Sequence, residues 1–242
     1  MNFNTIAGWR LKYLIDKIDM NSINTICDIG SCDLSQSLEI SEIFPESKIY
    51  AFEPCPRNYQ NALTRLNNSN KNNISLYETA LGESIGTIKF YPMDDTNPGA
   101  SSKYKLMGKS TLEELWYGRW NHYQDREIEV KQNTLDNWRK ENNVEKVDLI
   151  WIDVQGAELD VFKGGVETLK DVKAILTEAG LKAYYDGQSL KPEIDKFLSD
   201  NGFVEVKEAF QYNGSDCEAN LIYIKRTEYE NIKKNLEVYQ IH

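Results

Sequence analysis

The length, composition and charge of the chain are those of a globular protein and exclude several classes of function. Its 242 residues are 40% hydrophobic and 27% charged, which suits one α/β domain with insertions. No apolar run approaches the roughly 20 residues that a membrane-spanning helix needs. The formal net charge of -10 argues against a nucleic-acid-binding face, which requires clustered lysine and arginine. We therefore expect a small-molecule partner, no nucleic acid and no membrane.

The cysteines, the histidines and the N-terminus give no sign of metal, redox or export chemistry. Four cysteines, Cys27, Cys32, Cys55 and Cys217, match no metal or redox spacing, and the chain has only two histidines. We predict buried, reduced thiols and no metal site of the Cys/His kind. Residues 1–8 resemble neither an export nor a transit signal, so we expect a cytoplasmic protein.

In chain order, the first half of the sequence alternates helical and extended patterns. A helix is predicted within residues 1–22, with one apolar face made by Ile6, Trp9, Tyr13, Leu14 and Ile18. Short apolar runs predict strands at Ile23–Ile29, Lys48–Phe52, Ile74–Glu78 and Thr87–Tyr91. Between them, helical spacing predicts helices at Ser31–Phe44 and Tyr59–Leu66.

The second half begins with an insertion and ends with a hairpin. Residues 92–126 are predicted to form a lid with a short helix, because Ser110 and Glu113 make a capping box. The nearly all-apolar run Val147–Ile152 predicts a central strand that is covered on both faces. Further strands are predicted at Glu127–Gln132, Ala174–Ala179, Phe203–Glu208 and Asn220–Lys225, the last two as an antiparallel hairpin. Helices are predicted at Leu135–Glu141, Leu159–Leu169, from Pro192 to Gly202 and over residues 227–242.

Alternating β and α units that end in a hairpin predict one Rossmann-like α/β domain over residues 1–242. Ligands of such a sheet bind beyond the carboxyl ends of the strands. Gly30 lets the backbone pass close to a ligand, and Glu53 stands where an acidic side chain accepts hydrogen bonds from ribose. A full G-x-G-x-x-G is absent, because Asp33, Leu34 and Ser35 replace its later positions. The sequence therefore favours a nucleoside cofactor without a diphosphate, such as S-adenosylmethionine.

The predicted cofactor contacts divide between the two ends of that molecule. Asp28 offers charge to the methionine part, and the segment Thr79 to Leu81 could line the adenine. An aspartate at a strand end is by itself more often a turn former, but together with Gly30 and Glu53 it indicates a cofactor site. The predicted cofactor-binding residues are Asp28, Gly30, Ser31, Glu53, Pro54, Thr79, Ala80 and Leu81.

Ordered motifs along the chain resemble those of the FkbM-type methyltransferases. They include Asp28-Ile29-Gly30-Ser31, Phe52-Glu53-Pro54-Cys55-Pro56, Ala80-Leu81-Gly82, Gly99-Ala100-Ser101-Ser102 and Ile152-Asp153-Val154-Gln155-Gly156-Ala157-Glu158. Gln155 stands where the family usually carries Glu, and Leu34 where it often carries Gly. The resemblance runs from about Thr25 to Tyr185. It implies the class I methyltransferase fold, with a mostly parallel sheet of the seven-stranded type, and O-methylation of a hydroxyl on a sugar or a small natural product.

Two carboxylates that follow strands are the predicted catalytic residues. Methyl transfer is an in-line displacement, and an unactivated hydroxyl must also lose a proton. We expect Asp153 to be the base or to orient the acceptor, with Glu178 in support. Two alternatives stay open: the pair could hold a divalent cation, and Asp153 could only cap the next helix. Glu158 is interpreted mainly as a carboxylate of the first helical turn.

Aromatic residues of the insertion are the candidates for acceptor contacts. Trp116, Trp120 and Tyr123, together with Gln155, are predicted to contact a sugar ring or another flat acceptor. The aromatic residues could instead bury the insertion against the sheet or a second copy, so a homo-oligomer stays open. An NAD-linked oxidoreductase is the alternative enzyme, although its further glycines and proton relay are missing. A catalytically silent interaction module is the third alternative.

Overall fold

The computed structural model describes residues 3–93, 95, 97–108, 124, 126–212 and 216–230. Its α-helices, in chain order, are α1 Ile6–Leu11, α2 Ser35–Ile43, α3 Pro56–Ser69, α4 Leu135–Glu141, α5 Glu158–Lys163 and α6 Lys191–Asp200. Its strands are β1 Thr25–Ile29, β2 Lys48–Phe52, β3 Ile74–Tyr77, β4 Ala80–Leu81, β5 Gly86–Phe90, β6 Ile128–Asn133, β7 Leu149–Ile152, β8 Ala174–Gly180, β9 Phe203–Glu205, β10 Gln211–Tyr212 and β11 Glu218–Lys225.

The large sheet has the strand order β10-β11-β8-β7-β1-β2-β3, with β9 also paired to β11. The strands from β3 to β8 in this order run parallel, whereas β11 is antiparallel to β8, β9 and β10. The predicted mostly parallel sheet and its terminal antiparallel hairpin are therefore confirmed. The chain order reverses between β1 and β7, which is where an open α/β sheet leaves a crevice for ligands.

Two apolar cores cover the two faces of this sheet. The central strand β7 is buried along its whole length and alternates between the cores. Leu149 and Trp151 face the core that is completed by α1 and α2. Ile150 and Ile152 face the core that is completed by α4, α5 and α6. Burial on both faces explains why β7 reads as a continuous apolar run rather than as an alternating pattern.

A second, three-stranded sheet was not anticipated. Its order is β4-β6-β5, with β4 parallel and β5 antiparallel to β6. The predicted strands Thr87–Tyr91 and Glu127–Gln132 exist with slightly different ends, but they pair with each other and not with the large sheet. The pairing joins chain segments on either side of the insertion, and local sequence patterns carry no information about such a distant partner.

The predicted N-terminal helix is shorter than expected and turns another face inward. The α-helix ends at Leu11 and continues as a 3-10 turn, Lys12–Leu14. Ile6 and Trp9 are exposed, and the buried side chains are instead Ala7, Leu11, Leu14 and Ile18. The predicted apolar face was therefore wrong at its first two residues, because the change of helical pitch after Leu11 rotates the later positions relative to the earlier ones.

Other predicted segments differ in extent. The stripe Leu159–Leu169 was expected to be one helix, but α5 ends at Lys163 and Val166 is 37% exposed. The strand predicted at Phe203–Glu208 ends at Glu205. Residues 226–230 are helical, and the rest of the predicted C-terminal helix lies outside the described residues, as does the short helix expected after Ser110. Within the described residues, no helix combines the length and apolar character needed to cross a bilayer.

The loops that follow β1 and β7 are in main-chain contact at Gly30. The amide of Asp153 donates to the carbonyl of Ile29 over 2.9 Å, and the amide of Gly30 donates to the carbonyl of Phe52 over 3.0 Å. Gly30 has a left-handed φ of +87°. A Cβ atom at Gly30 would lie 1.9 Å from the carbonyl oxygen of Asp153. This contact therefore fixes the three loops relative to one another.

A Gly30→Ala substitution should destabilise the fold by about 3 kcal/mol or more, because left-handed strain of about 1–2 kcal/mol adds to a main-chain clash. Gly202→Ala is the matched control, since Gly202 has a φ of +83° and its added Cβ would meet only Lys225 at 3.8 Å. Urea denaturation measures both variants. An equal decrease in the free energy of unfolding of the two variants would show that the contact between the loops does not contribute to stability.

Leu34→Gly should also destabilise the protein, although it introduces a residue suited to the backbone. Leu34 has a left-handed φ of +70° and is fully buried. Glycine relieves about 1 kcal/mol of strain, but deleting a buried leucine side chain costs about 2–5 kcal/mol. The expected net loss is about 1–4 kcal/mol in chemical denaturation. The control is Asn70→Gly at an exposed left-handed position with φ +56°. This substitution relieves backbone strain without deleting a buried side chain. A gain in stability for Leu34→Gly would contradict this account.

Candidate active site

A cleft opens beyond the carboxyl ends of β1, β2 and β7, at the point where the strand order reverses. Its empty space amounts to about 550 Å³, a figure that includes open solvent at its mouth. Its walls come from the loops after these strands, from the small sheet and from residues 98–103. The predicted cofactor residues that line it are Gly30, Glu53, Pro54, Thr79, Ala80 and Leu81.

Glu53 is buried at the base of the cleft and holds two loops together. One carboxylate oxygen accepts from the amide of Cys32 over 2.9 Å, and the other accepts from the amide of Cys55 over 2.8 Å. Burial raises the pKa of Glu53 to about 8, against these two hydrogen bonds and one from the Asn58 side chain, which lower it. A hydroxyl-bearing ligand that donates to Glu53 would favour its ionised form.

The wall beside Glu53 is apolar. Phe52 comes from β2, Leu81 from β4, and Ile88 and Phe90 from β5. The small sheet thus supplies one side of the cleft, and a planar base would find apolar contacts there. The two β5 residues were not predicted, because nothing local to them indicates that β5 faces the end of β2.

Two predicted cofactor residues lie outside the cleft lining. Asp28 is buried within β1, and its carboxylate accepts a hydrogen bond from the hydroxyl of Ser37 in α2. Burial raises the pKa of Asp28 to about 7. Ser31 is buried behind the turn, and its hydroxyl has no hydrogen-bond partner within the described part of the chain. The strand alternation turns Asp28 toward α2, so the direct contact with the methionine part is not supported by this geometry.

The two predicted catalytic carboxylates are held together by Gln155. Asp153 lines the cleft, whereas Glu178 lies behind it. The side-chain nitrogen of Gln155 donates to Asp153 over 2.6 Å and lies 3.3 Å from a carboxylate oxygen of Glu178. Gln155 has a left-handed φ of +53°, and the hydroxyl of Tyr185 lies 3.1 Å from its side-chain oxygen. Gln155, predicted as an acceptor contact, therefore positions Asp153 and does not line the cleft.

Arg10 supplies the positive charge near this pair. Its guanidinium stacks on the ring of Trp151 at 4.4 Å and donates to the carbonyl of Thr177 over 3.3 Å. Burial lowers the pKa of Arg10 to about 10, although the charges of Asp153 and Glu178 raise it. Burial raises the pKa of Asp153, against the hydrogen bond from Gln155 and the charge of Arg10, and it raises that of Glu178 further. Arg10 was missed because the fold brings α1 to the distant ends of β7 and β8.

Glu158, rather than Asp153, stabilises the start of α5. One carboxylate oxygen of Glu158 accepts from the amides of Val154 and Gly156 over 3.1 and 3.2 Å. No side-chain cap precedes α5. The helix-capping alternative for Asp153 is therefore unsupported, and the first-turn interpretation of Glu158 agrees with its geometry. Among the described residues, no group of three or more His, Cys, Asp or Glu side chains is arranged to hold a metal ion.

Residues 97–106, here called the strap, form part of the cleft wall. At one end, the side chain of Asn58 donates to the carbonyl of Pro98 over 3.1 Å. Further along, the hydroxyl of Tyr185 donates to the carbonyl of Ala100 over 2.6 Å, and the hydroxyl of Ser102 donates to the carbonyl of Gln155 over 2.8 Å. The described part of the predicted insertion therefore contributes Pro98, Gly99, Ser101 and Lys103 to the cleft lining, and its function as a lid stays a prediction.

Lys103 is a further lining residue that the sequence did not indicate. Its ammonium pairs with Asp160 over 2.6 Å, and the hydroxyl of Tyr104 donates to the same carboxylate over 2.7 Å. The strap is thus also anchored to α5. The three aromatic residues predicted to contact the acceptor, Trp116, Trp120 and Tyr123, lie outside the described residues.

Comparison with known proteins identifies the family of this chain. The family model described as the methyltransferase FkbM domain matches residues 28–205. The 2-O-methyltransferase NoeI of Sinorhizobium fredii (strain NBRC 101917 / NGR234) is 36% identical over 168 residues, which are 67% of this chain and 66% of NoeI. The methyltransferase sdnD of Sordaria araneosa is 26% identical over 193 residues, 74% of this chain and 73% of that protein. The matched region thus spans just under two thirds of the length of NoeI.

A solved structure supports the fold. The magnesium protoporphyrin IX methyltransferase of Synechocystis PCC 6803, determined with bound S-adenosylmethionine, aligns with a TM-score of 0.50 at 12% identity, covering 92% of this chain and 77% of that chain. At this identity the likeness concerns the fold alone. The Rossmann-like methyltransferase fold, the methyltransferase class and S-adenosylmethionine as the cofactor of the domain are confirmed. The chain belongs to the FkbM methyltransferase family.

Proposed function

We propose that this protein transfers a methyl group from S-adenosylmethionine to a hydroxyl of a sugar or a small natural product. The observation that carries the proposal is the cleft itself, which places a buried acid and an apolar wall on one side and Asp153 on the other. The similarity to a 2-O-methyltransferase supports a hydroxyl acceptor. The net charge of -10 disfavours a polyanionic acceptor.

The residues of the cleft fit the proposed cofactor. Glu53 would accept hydrogen bonds from the ribose hydroxyls, and the wall of Leu81, Ile88 and Phe90 would pack on the adenine. The missing Cβ of Gly30 makes room for the main chain of Asp153, and Gly30 itself lines the cleft. When bound, S-adenosylmethionine supplies an electrophilic methyl group on a sulfonium, and no diphosphate has to be accommodated.

Asp153 is the residue that we propose receives the proton of the acceptor. Asp153 lines the cleft, and Gln155 holds one of its carboxylate oxygens in a fixed direction. Burial raises the pKa of Asp153, which makes its carboxylate a stronger base. Arg10 and Gln155 keep the ionised form accessible. Most of the acceleration would still come from alignment of the acceptor in the enclosed cleft.

The strap limits what can reach Asp153. It is tied to both sides of the cleft, through Pro98 on the Glu53 side and Ser102 on the Asp153 side. An acceptor in this space is enclosed. The enclosure favours a small molecule or a terminal sugar ring over the surface of a macromolecule as the acceptor. A cytoplasmic location accompanies the proposal, because all four cysteines are free and three of them are buried. Whether the protein forms a homo-oligomer stays a prediction.

Calorimetric titration tests the cofactor assignment. S-adenosylhomocysteine should bind in the micromolar range, and NAD should give no saturable heat. Glu53→Gln should weaken the binding of S-adenosylhomocysteine by about 10- to 100-fold, because a charged hydrogen bond to the ribose is worth roughly 1.5–3 kcal/mol. The exposed Glu46→Gln serves as the control variant and should bind like the wild type. Tight NAD binding in place of S-adenosylhomocysteine would overturn the proposal.

Asp153→Asn tests the base. Turnover on an accepted hydroxyl substrate should fall by about 10²- to 10⁴-fold, as expected when a general base is lost, while affinity for S-adenosylhomocysteine stays within a few-fold. The wild-type rate should rise with pH through the pKa of Asp153, which lies above its ordinary value, and the variant should lack this rise. Asp200→Asn on the exposed face of α6 is the control. Full turnover by Asp153→Asn would end the catalytic assignment.

A further inference from the structure

Asn58 is a buried polar residue in the wall of the cleft that the reaction outlined above does not use. It lies in the first turn of α3, is 2% exposed and lines the same space as Glu53. Its side-chain oxygen is buried, and no hydrogen-bond donor within the described part of the chain reaches it. A buried acceptor left without a donor costs about 1–3 kcal/mol, so its presence at a ligand cleft calls for an explanation.

The other end of the Asn58 amide is already engaged. The side-chain nitrogen donates to the carbonyl of Pro98 in the strap over 3.1 Å, and the amide also favours the ionised form of Glu53. This orientation turns the oxygen away from Pro98. Helix capping does not account for the residue, because the N-cap of α3 is Cys55 and no side-chain cap bond is present.

The hydrogen-bonding capacity left open at Glu53 and Asn58 is that of acceptors. Each carboxylate oxygen of Glu53 receives one main-chain amide, from Cys32 and from Cys55, whereas the Asn58 oxygen receives none from the described residues. A ligand that completes this arrangement must bring hydrogen-bond donors. A ribose brings two vicinal hydroxyls, and each hydroxyl donates one hydrogen bond, which matches one acceptor on Glu53 and one on Asn58.

We propose that Asn58 binds one ribose hydroxyl of the cofactor through its side-chain oxygen and, through its side-chain nitrogen, ties the bound cofactor to the strap. The inference rests on the proposed function. It adds Asn58 to the cofactor site and links cofactor binding to the position of the strap. Because Ser101 and Lys103 of the strap line the same cleft, the bound cofactor would help to fix the space left for the acceptor. Cofactor binding before acceptor binding follows from this arrangement.

A double-mutant cycle tests the contact with the ribose. Calorimetry measures the binding of S-adenosylhomocysteine and of its 2′-deoxy and 3′-deoxy analogues to the wild type and to Asn58→Ala. We expect Asn58→Ala to bind S-adenosylhomocysteine about tenfold more weakly, as for one lost hydrogen bond, and to lose no further affinity for one of the two analogues. Asn61→Ala, on the exposed face of the same helix, is the matched control and should bind like the wild type.

Amide hydrogen exchange tests the coupling to the strap. In the wild type, S-adenosylhomocysteine should slow exchange in residues 97–106, and this protection should be smaller in Asn58→Ala than in Asn61→Ala. Asn58→Asp keeps the side-chain oxygen that is proposed to bind the ribose, but it replaces the side-chain nitrogen that donates to the carbonyl of Pro98. A second carboxyl group beside Glu53 will change the absolute affinity, so the measurement for Asn58→Asp is the difference between the two deoxy analogues. This difference should be retained and the added protection of the strap lost, which keeps the test usable where Asn58→Ala folds poorly.

The outcomes separate the two proposals. No binding of S-adenosylhomocysteine to the wild type would overturn the proposed function and, with it, the role of Asn58. Normal binding to the wild type with unchanged affinity in Asn58→Ala, or with additive losses for both deoxy analogues, would overturn the ribose contact alone. A loss of affinity without any change in strap protection would overturn the coupling alone.

Discussion

The main-chain contact between the turn at Gly30 and the carbonyl of Asp153 sets the geometry on which the site depends. The chain leaves the neighbouring strands β1 and β7 in opposite directions across the sheet. Without this contact, the loops that follow the two strands would be free to separate. The amide of Asp153 donates to the carbonyl of Ile29, and the amide of Gly30 donates to the carbonyl of Phe52, so hydrogen bonds join the ends of β1, β2 and β7. Glu53 on one side and Asp153 on the other then face the same cleft at a fixed separation.

Burial gives this cleft its chemical character. The carboxyl groups of Glu53, Asp153 and Glu178 are all removed from water, and their pKa values are raised for that reason first. Different groups oppose this shift: main-chain amides at Glu53, the Gln155 amide at Asp153, and the charge of Arg10 near Asp153 and Glu178. The proposed roles of Glu53 toward the ribose and of Asp153 toward the acceptor proton both depend on this balance.

The strap connects the two halves of the cleft physically. Its hydrogen bonds reach Asn58 beside Glu53, Tyr185 behind Gln155, and the main chain of Gln155 itself. A ligand that orders one end can thus change the other end through a single short segment. In the proposed reaction, a cleft narrowed by this segment would hold less water, and the electrostatic interactions within it would be stronger.

The sequence by itself determined the α/β class, the positions of the central strands, and Gly30, Glu53 and Asp153 as strand-end residues, because hydrophobic periodicity and glycine geometry are local properties. Its ordered motifs also indicated the family. Only the tertiary structure decided that Asp28 turns toward α2, that β5 forms a wall of the cleft, and that Arg10 and Asn58 belong to the site. Those facts depend on which distant segments pack together, and short-range spacing does not encode the side of a strand or the approach of a helix from far along the chain.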